Sequence, residues 1–148
     1  MKIKNSKIGF LLILIFTISC GNVKRRYIDN FWRSSNPKRV LDYYKAHDSI
    51  YSILFFSGGF DNNVYIVKNG DKVIFDDKLK SDSVLGLADV IRIDNRYNVS
   101  ITEKYRNFTF TLKSKNLKRY KYITISRDRW EKHPSFEVIF SKVFVGFQ

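Results

Sequence analysis

Val64-Tyr65-Ile66-Val67-Lys68-Asn69-Gly70-Asp71-Lys72-Val73-Ile74-Phe75 is the stretch that decides how this chain folds. Two runs of β-branched and aromatic residues flank Asn69-Gly70-Asp71, and an Asn-Gly pair tolerates the positive φ of a tight hairpin turn. Side chains alternate across a strand, so two such arms pair with one wet face and one dry face. The same period continues in both directions. Upstream, residues 50–57 are an almost unbroken apolar run closed by Gly58-Gly59, the pattern of a strand covered on both faces. Downstream, residues 85–93 and 97–102 read as strands joined through Asp94-Asn95-Arg96. Phe108, Phe110 and Leu112 alternate with Thr109, Thr111 and Lys113, and residues 120–126 alternate again with Ile123 and Ile125 inward. Phe136, Val138 and Phe140 share one phase, which slips near Ser141-Lys142, where a bulge or bend is expected. Ahead of the strands, Asn36-Pro37 offers an N-cap and a first-turn proline. Val40, Leu41, Tyr44 and His47 then recur at helical spacing, so residues 37–47 are expected as a short helix.

Seven or eight short strands at roughly ten-residue spacing predict an all-β fold, an antiparallel β-sandwich preceded by one short helix. The hairpin and Leu85-Gly86-Leu87-Ala88-Asp89 resemble small immunoglobulin-like or transthyretin-like modules of bacterial cell-surface proteins. That resemblance is architectural and implies no activity. Thirteen Phe and nine Tyr favour sheet, while two Pro and seven Gly exclude a disordered or repetitive chain.

The first twenty residues carry a different message. Lys2, Lys4 and Lys7 precede an uncharged apolar run over residues 8–18, which stops at Ser19-Cys20-Gly21. A basic start, a short apolar middle and a small-residue end are the parts of a secretory signal. The run is about half of the ~20 residues needed to span a bilayer. Thr17-Ile18-Ser19-Cys20 resembles the lipobox of bacterial lipoproteins, although Thr17 stands where an aliphatic residue is usual. The resemblance implies that Cys20 becomes the lipidated first residue of the mature chain, carrying fatty-acyl groups such as palmitate. Two or more acyl chains anchor stably where one does not, at about 0.8 kcal/mol per buried methylene. Cys20 is the only cysteine, so no internal disulfide can form.

This divides the chain into a signal peptide over residues 1–19, a basic tether over 20–36 and one sandwich domain over 37–148. Removing residues 1–19 takes three lysines, so 129 residues remain and the net charge falls from +13 to +10. One core of that size can hold a fold together. The positive charge favours anionic partners. Lys24, Arg25 and Arg26 stand beside the lipid-bearing residue, where each basic side chain is worth ~1 kcal/mol against anionic headgroups. Lys113, Lys115, Lys118, Arg119 and Lys121 form a second group with Tyr120, Tyr122 and Trp130 near it. Cations interleaved with aromatics also suit single-stranded nucleic acid. Export separates the mature protein from it, so an anionic lipid or glycan is the expected contact and no nucleic acid is.

Reactive constellations are sparse. His47 and His133 have no second histidine or cysteine nearby, which disfavours zinc. His47-Asp48-Ser49 contains the residue types of a hydrolase triad, but adjacent residues point apart. Asp61, Asp76, Asp77 and Asp82 offer oxygen ligands to calcium only if their loops meet, and turn chemistry explains them without metal. No phosphate loop, nucleophile elbow or dinucleotide fingerprint occurs. Asp48-Ser49-Ile50 and Asp82-Ser83-Val84 resemble the O-glycosylation acceptor pattern of exported Bacteroidetes proteins, with Ser83 in an exposed loop and Ser49 expected to be buried. The expectation is a non-enzymatic, cofactor-free envelope lipoprotein with a binding or structural role, facing the periplasm and meeting the membrane through Cys20. Two alternatives stand beside it: an accessory or immunity-type subunit of an envelope complex, and a hydrolase of envelope polymers.

Overall fold

The computed structural model describes residues 21–29, 37–130 and 133–144. The lipobox with Cys20, and the Asn36 N-cap, lie outside the described residues. The element order is β1 Asn22–Ile28, α1 Pro37–Tyr43, β2 Tyr51–Phe56, β3 Asp61–Asn69, β4 Lys72–Lys80, β5 Asp89–Asp94, β6 Val99–Glu103, β7 Phe108–Leu112, α2 Ser114–Leu117, β8 Tyr122–Arg127 and β9 Ser135–Ser141. Two sheets pack as a sandwich, one ordered β1-β9-β8-β2-β5 and the other β4-β3-β6-β7. The all-β sandwich expected from the alternation is therefore the fold, with nine strands among the described residues rather than seven or eight.

The five-stranded sheet is mixed rather than antiparallel throughout. β1 runs parallel to β9, and β2 runs parallel to β8. Both pairs join strands far apart in sequence, which alternation alone cannot reveal. β1 also replaces half of the expected tether. Its seven residues pair one to one with β9, yet only Val23 and the Tyr27 ring reach the main core, Tyr27 by stacking on Phe140. An edge strand tolerates charge on its free side, so Lys24-Arg25-Arg26 disguised a strand as a linker.

The hairpin is as expected, with one shift at its turn. Asn69 pairs with Lys72, so Gly70 and Asp71 are the two central residues. Gly70 has φ +61°, the arrangement of a type II′ turn with glycine first. Asn69 instead turns its side chain inward, donating from Nδ2 to the Asp94 carbonyl (3.0 Å) and accepting from the Asp94 N–H (2.6 Å).

The main core lies between the sheets, with Leu54, Phe56, Tyr65, Ile101, Ile123 and Phe140 among its buried members. Full burial of each such apolar side chain contributes roughly 1.5–3 kcal/mol. A second, smaller core covers the outer face of β2. There Ile53 and Phe55 meet Ala46, Tyr122 and Phe144, with Val40, Leu41 and Tyr44 of the α1 region over them. This double covering explains the unbroken apolar run of β2. α1 stops at Tyr43, earlier than the spacing predicts, because Lys45 takes φ +49° and the chain turns to bury Ala46. The basic loop after β7 contains the single-turn α2, pinned by buried Leu117. The expected phase slip is real: β9 ends at Ser141, whose hydroxyl donates to the Val143 carbonyl (2.7 Å), and Phe144 crosses to the outer core.

Candidate functional site

β1 and β7 are the edges of their sheets on one side of the sandwich. Gly21 lies so close to the Phe108 ring that a Cβ there would sit 2.1 Å from it. Further along, Arg25 Nη2 donates to the Thr111 carbonyl at 3.5 Å, and Asn116 Nδ2 donates to the Tyr27 hydroxyl at 3.3 Å. The Tyr27 ring stacks on Phe140 at 5.1 Å and tilts against Tyr120 at 5.5 Å. These contacts bring two basic groups, separate in sequence, onto one side: Lys24, Arg25 and Arg26 from β1, and Lys113, Lys115, Lys118 and Arg119 around α2. All seven are exposed.

Part of this charge is already engaged. Arg26 pairs with Glu137 at 3.2 Å, and Lys142 pairs with Asp29 at 2.9 Å. The hydrogen bond from Lys142 holds the Asp29 carboxyl below its ordinary value, against an opposing effect of desolvation. The Arg119 guanidinium lies 5.7 Å from the Tyr120 ring centroid, a contact worth ~0.5–1 kcal/mol at an exposed site. Lys24, Lys113, Lys115 and Lys118 form no ion pair among the described residues. Lys121, expected with this group, serves the fold instead. Its ammonium donates to the Asp48 carbonyl (2.7 Å) and the Tyr51 carbonyl (2.9 Å), and burial lowers its proton affinity.

A second feature escaped the sequence reading. Glu103, at the end of β6, continues the inward phase of Val99 and Ile101, so its carboxylate is buried inside the sandwich. Oε1 accepts from Asn63 Nδ2 at 3.0 Å and from Arg127 Nη2 at 3.4 Å. Tyr65 lies opposite Glu103 in the β3–β6 register, and its phenol is raised above the ordinary value, first by burial and then by the Glu103 charge. Among the described residues, Glu103 Oε2, Arg106 Nη1 and Arg127 Nε are buried here without a hydrogen-bond partner, and Tyr65 Oη has at most a weak contact with Asn63. Beside the group a cleft of about 550 Å³ opens between Gly59, Arg127, Trp130, Ser135, Phe136 and Glu137. Gly59 is required there, because it holds φ +92° and a Cβ would lie 1.6 Å from the Arg127 carbonyl oxygen. The cluster can hold charge and polar groups in fixed positions; none of its members is a serine, cysteine or histidine. The signal that would have found it is one acidic residue in the inward phase of β6.

The remaining sequence-derived candidates are dispersed. His47 Nε2 bonds Asp42 Oδ1 at 2.5 Å, while Asp48 Oδ1 accepts from the Ile50 N–H, so His47-Asp48-Ser49 is not assembled as a triad. His133 is exposed in the connection before β9. Asp76 pairs with Lys104 at 2.9 Å, Asp77 accepts from the Lys78 N–H, and Asp82 accepts from the Val84 and Leu85 N–H groups. No group of three His, Cys, Asp or Glu positioned for a metal occurs among the described residues. Ser83 is exposed beside Asp82 as expected; Ser49 is exposed too, where burial was expected. Among the described residues no helix is long and apolar enough to cross a membrane. Compared with known protein families and with curated protein sequences, the chain matches none.

Proposed function

We propose that this protein is a lipid-anchored cell-envelope lipoprotein whose β-sandwich binds anionic envelope material without catalysing a reaction. The observation that carries the reading is the meeting of two basic groups on the β1–β7 side, one of which begins four residues after Cys20. Acyl chains on Cys20 would tie the domain closely to the membrane, since only Gly21 separates that residue from β1. The exposed cations of β1 and α2 then present one positive side to the phosphates and carboxylates of envelope material. Lys24, Arg25 and Arg26 along β1 also hinder strand-to-strand association at that edge.

Two experiments test this. Metabolic labelling with palmitate should mark the wild-type chain and leave Cys20→Ala unlabelled and released from the membrane fraction. An unlabelled wild type, or a membrane-bound Cys20→Ala, rejects the anchor. Capture of added phosphatidylglycerol vesicles and of an acidic polysaccharide by the lipoprotein already held in phosphatidylcholine vesicles should weaken together in a Lys113→Gln/Lys115→Gln/Lys118→Gln variant and with rising salt. Loss on the vesicles alone assigns the surface to lipid, and loss on the polysaccharide alone assigns it to glycan. Unchanged binding to both rejects the cationic side as the binding surface.

A further inference from the structure

The registers place one set of loops at the end of the sandwich where β1 begins. Asn22 pairs with Ser135, Arg127 with Phe136, Phe56 with Asp89, Asp61 with Lys80 and Glu103 with Phe108. Gly21, the 81–88 loop, the 104–107 turn and the Asp128–Trp130 turn therefore share this end. Each of the three loops raises a large apolar side chain into solvent: Trp130 is 94% exposed, Tyr105 85%, Val84 81% and Leu85 61%. Of the other exposed large apolar residues among those described, Tyr43 lies on α1, Tyr27 on β1, and Val73 and Tyr97, each about half exposed, at the opposite end beside Gly70.

These tips are held by hydrogen bonds. Asp82 Oδ1 accepts from Val84 and Leu85, and the Gly86 N–H donates to the Asp82 carbonyl at 3.0 Å. Asp128 Oδ1 accepts from the Trp130 N–H at 3.0 Å. The Asn107 N–H donates to the Lys104 carbonyl at 3.3 Å, closing the turn that carries Tyr105. Among the described residues, Asp82 and Asp128 beside the tips thus spend carboxylate oxygens on backbone, while Glu131, which follows Trp130, lies outside the described residues. Lys104 and Arg106 flank Tyr105, and Arg129 precedes Trp130. An amphipathic ring beside a cation suits the boundary between headgroups and acyl chains. Water-exposed apolar tips gathered at one end call for a cover.

We infer that this end is the membrane-facing end of the protein, with Trp130, Tyr105 and Val84-Leu85 inserted at the lipid interface. The occupant is a lipid surface rather than a protein because of where the chain enters. Residues 1–20, with their apolar run and Cys20, join the domain at Gly21, on this same end. The inference rests on the anchored reading only for the acyl groups on Cys20; the position of the tips is independent of it. An end-on posture leaves the cationic β1–β7 side standing away from the bilayer, open to material in solution.

The test uses the full chain, purified from membranes and reconstituted in vesicles of phosphatidylethanolamine and phosphatidylglycerol. Intact mass reports whether Cys20 is acylated. Brominated acyl chains report contact with Trp130, whose share of the emission is the difference between wild type and Trp130→Phe. That share should be blue-shifted and mostly lost, with shallow bromines quenching better than deep ones. Tyr105→Ser/Leu85→Ser, whose fold is checked by circular dichroism, should restore part of it. Acylated Cys20 with Trp130 unquenched overturns the inference and leaves the anchor standing. Quenched Trp130 with Cys20 unmodified upholds the inference and removes the anchor. If neither is seen, both are wrong and the tips belong to a protein partner.

Discussion

The two ends of this sandwich are built on opposite principles. The Gly70 end is stitched by side chains to backbone: Asn69 bridges both polar groups of Asp94, Asn95 Nδ2 donates to the Ser49 carbonyl, and Asn98 Oδ1 accepts from the Ser114 N–H. Its exposed apolar residues, Val73 and Tyr97, are each half covered, and Tyr97 lies against Gly70. The Gly21 end also has ordered turns, but it presents apolar tips and holds three of the buried polar atoms that lack a partner among the described residues. Side chains stitched to backbone at one end and apolar tips raised into solvent at the other separate a cap, which closes the fold, from a contact surface.

The largest expected effect comes from the buried Glu103–Arg127 pair at the Gly21 end. Arg127→Met would leave the Glu103 carboxylate buried without its cation, at a cost of about 3–5 kcal/mol. Arg127→Met/Glu103→Leu should recover much of that loss in urea unfolding, whereas additive losses would mean the pair is not coupled. At the opposite end, Asn69→Ala removes two hydrogen bonds from the buried ends of β3 and β5, at about 1–3 kcal/mol. A loss below a few tenths of a kcal/mol would deny that this end is a structural cap.

Acid should act on both ends more gently. Asp82, bonded by the Leu85 and Val84 N–H groups, and Asp94, bonded by Arg96, both titrate below the ordinary carboxylate value in the folded chain. As pH falls the unfolded chain takes up these protons first, so their contribution is whole above about pH 4 and lost as pH drops through the lower folded values. Thermal midpoints of wild type should therefore fall below about pH 4, and Asp82→Asn and Asp94→Asn should each flatten that decline. A decline unaffected by either substitution would assign the acid sensitivity elsewhere. Smallest of all is the effect of the tips on stability: Trp130→Ser and Tyr105→Ser should shift unfolding by less than about 0.5 kcal/mol, because neither side chain packs against the core. A shift of several times that size would make them structural.

What was legible in the sequence was whatever repeats with period two. β3, β4, β7, β8 and β9 declared themselves through alternation, and β2 through an apolar run that its two covers explain. β1 was hidden because an edge strand with three consecutive cations has no clean alternation. The parallel pairings were hidden because they join residues far apart in sequence, Val23 with Phe136 across 113 positions and Ile53 with Tyr122 across 69. The basic residues were visible as two runs, but only the contacts from Arg25 to Thr111 and from Asn116 to Tyr27 show them to be one side. Lys121, one residue from Tyr120, looked like its neighbours until its ammonium was found on two carbonyls. Glu103 was readable in principle, since an acid in phase with Val99 and Ile101 must be buried.

The decisive measurement compares the two ends directly. Spin labels at Tyr105→Cys and Asp71→Cys, in the full chain reconstituted in vesicles, report depth by their relative access to oxygen and to a water-soluble nickel complex. Background from Cys20 is read on the unsubstituted chain. A label at residue 105 shielded from nickel and open to oxygen, with residue 71 in water, is the predicted outcome. Equal exposure of both labels to nickel, or a deeper label at residue 71, would contradict the account.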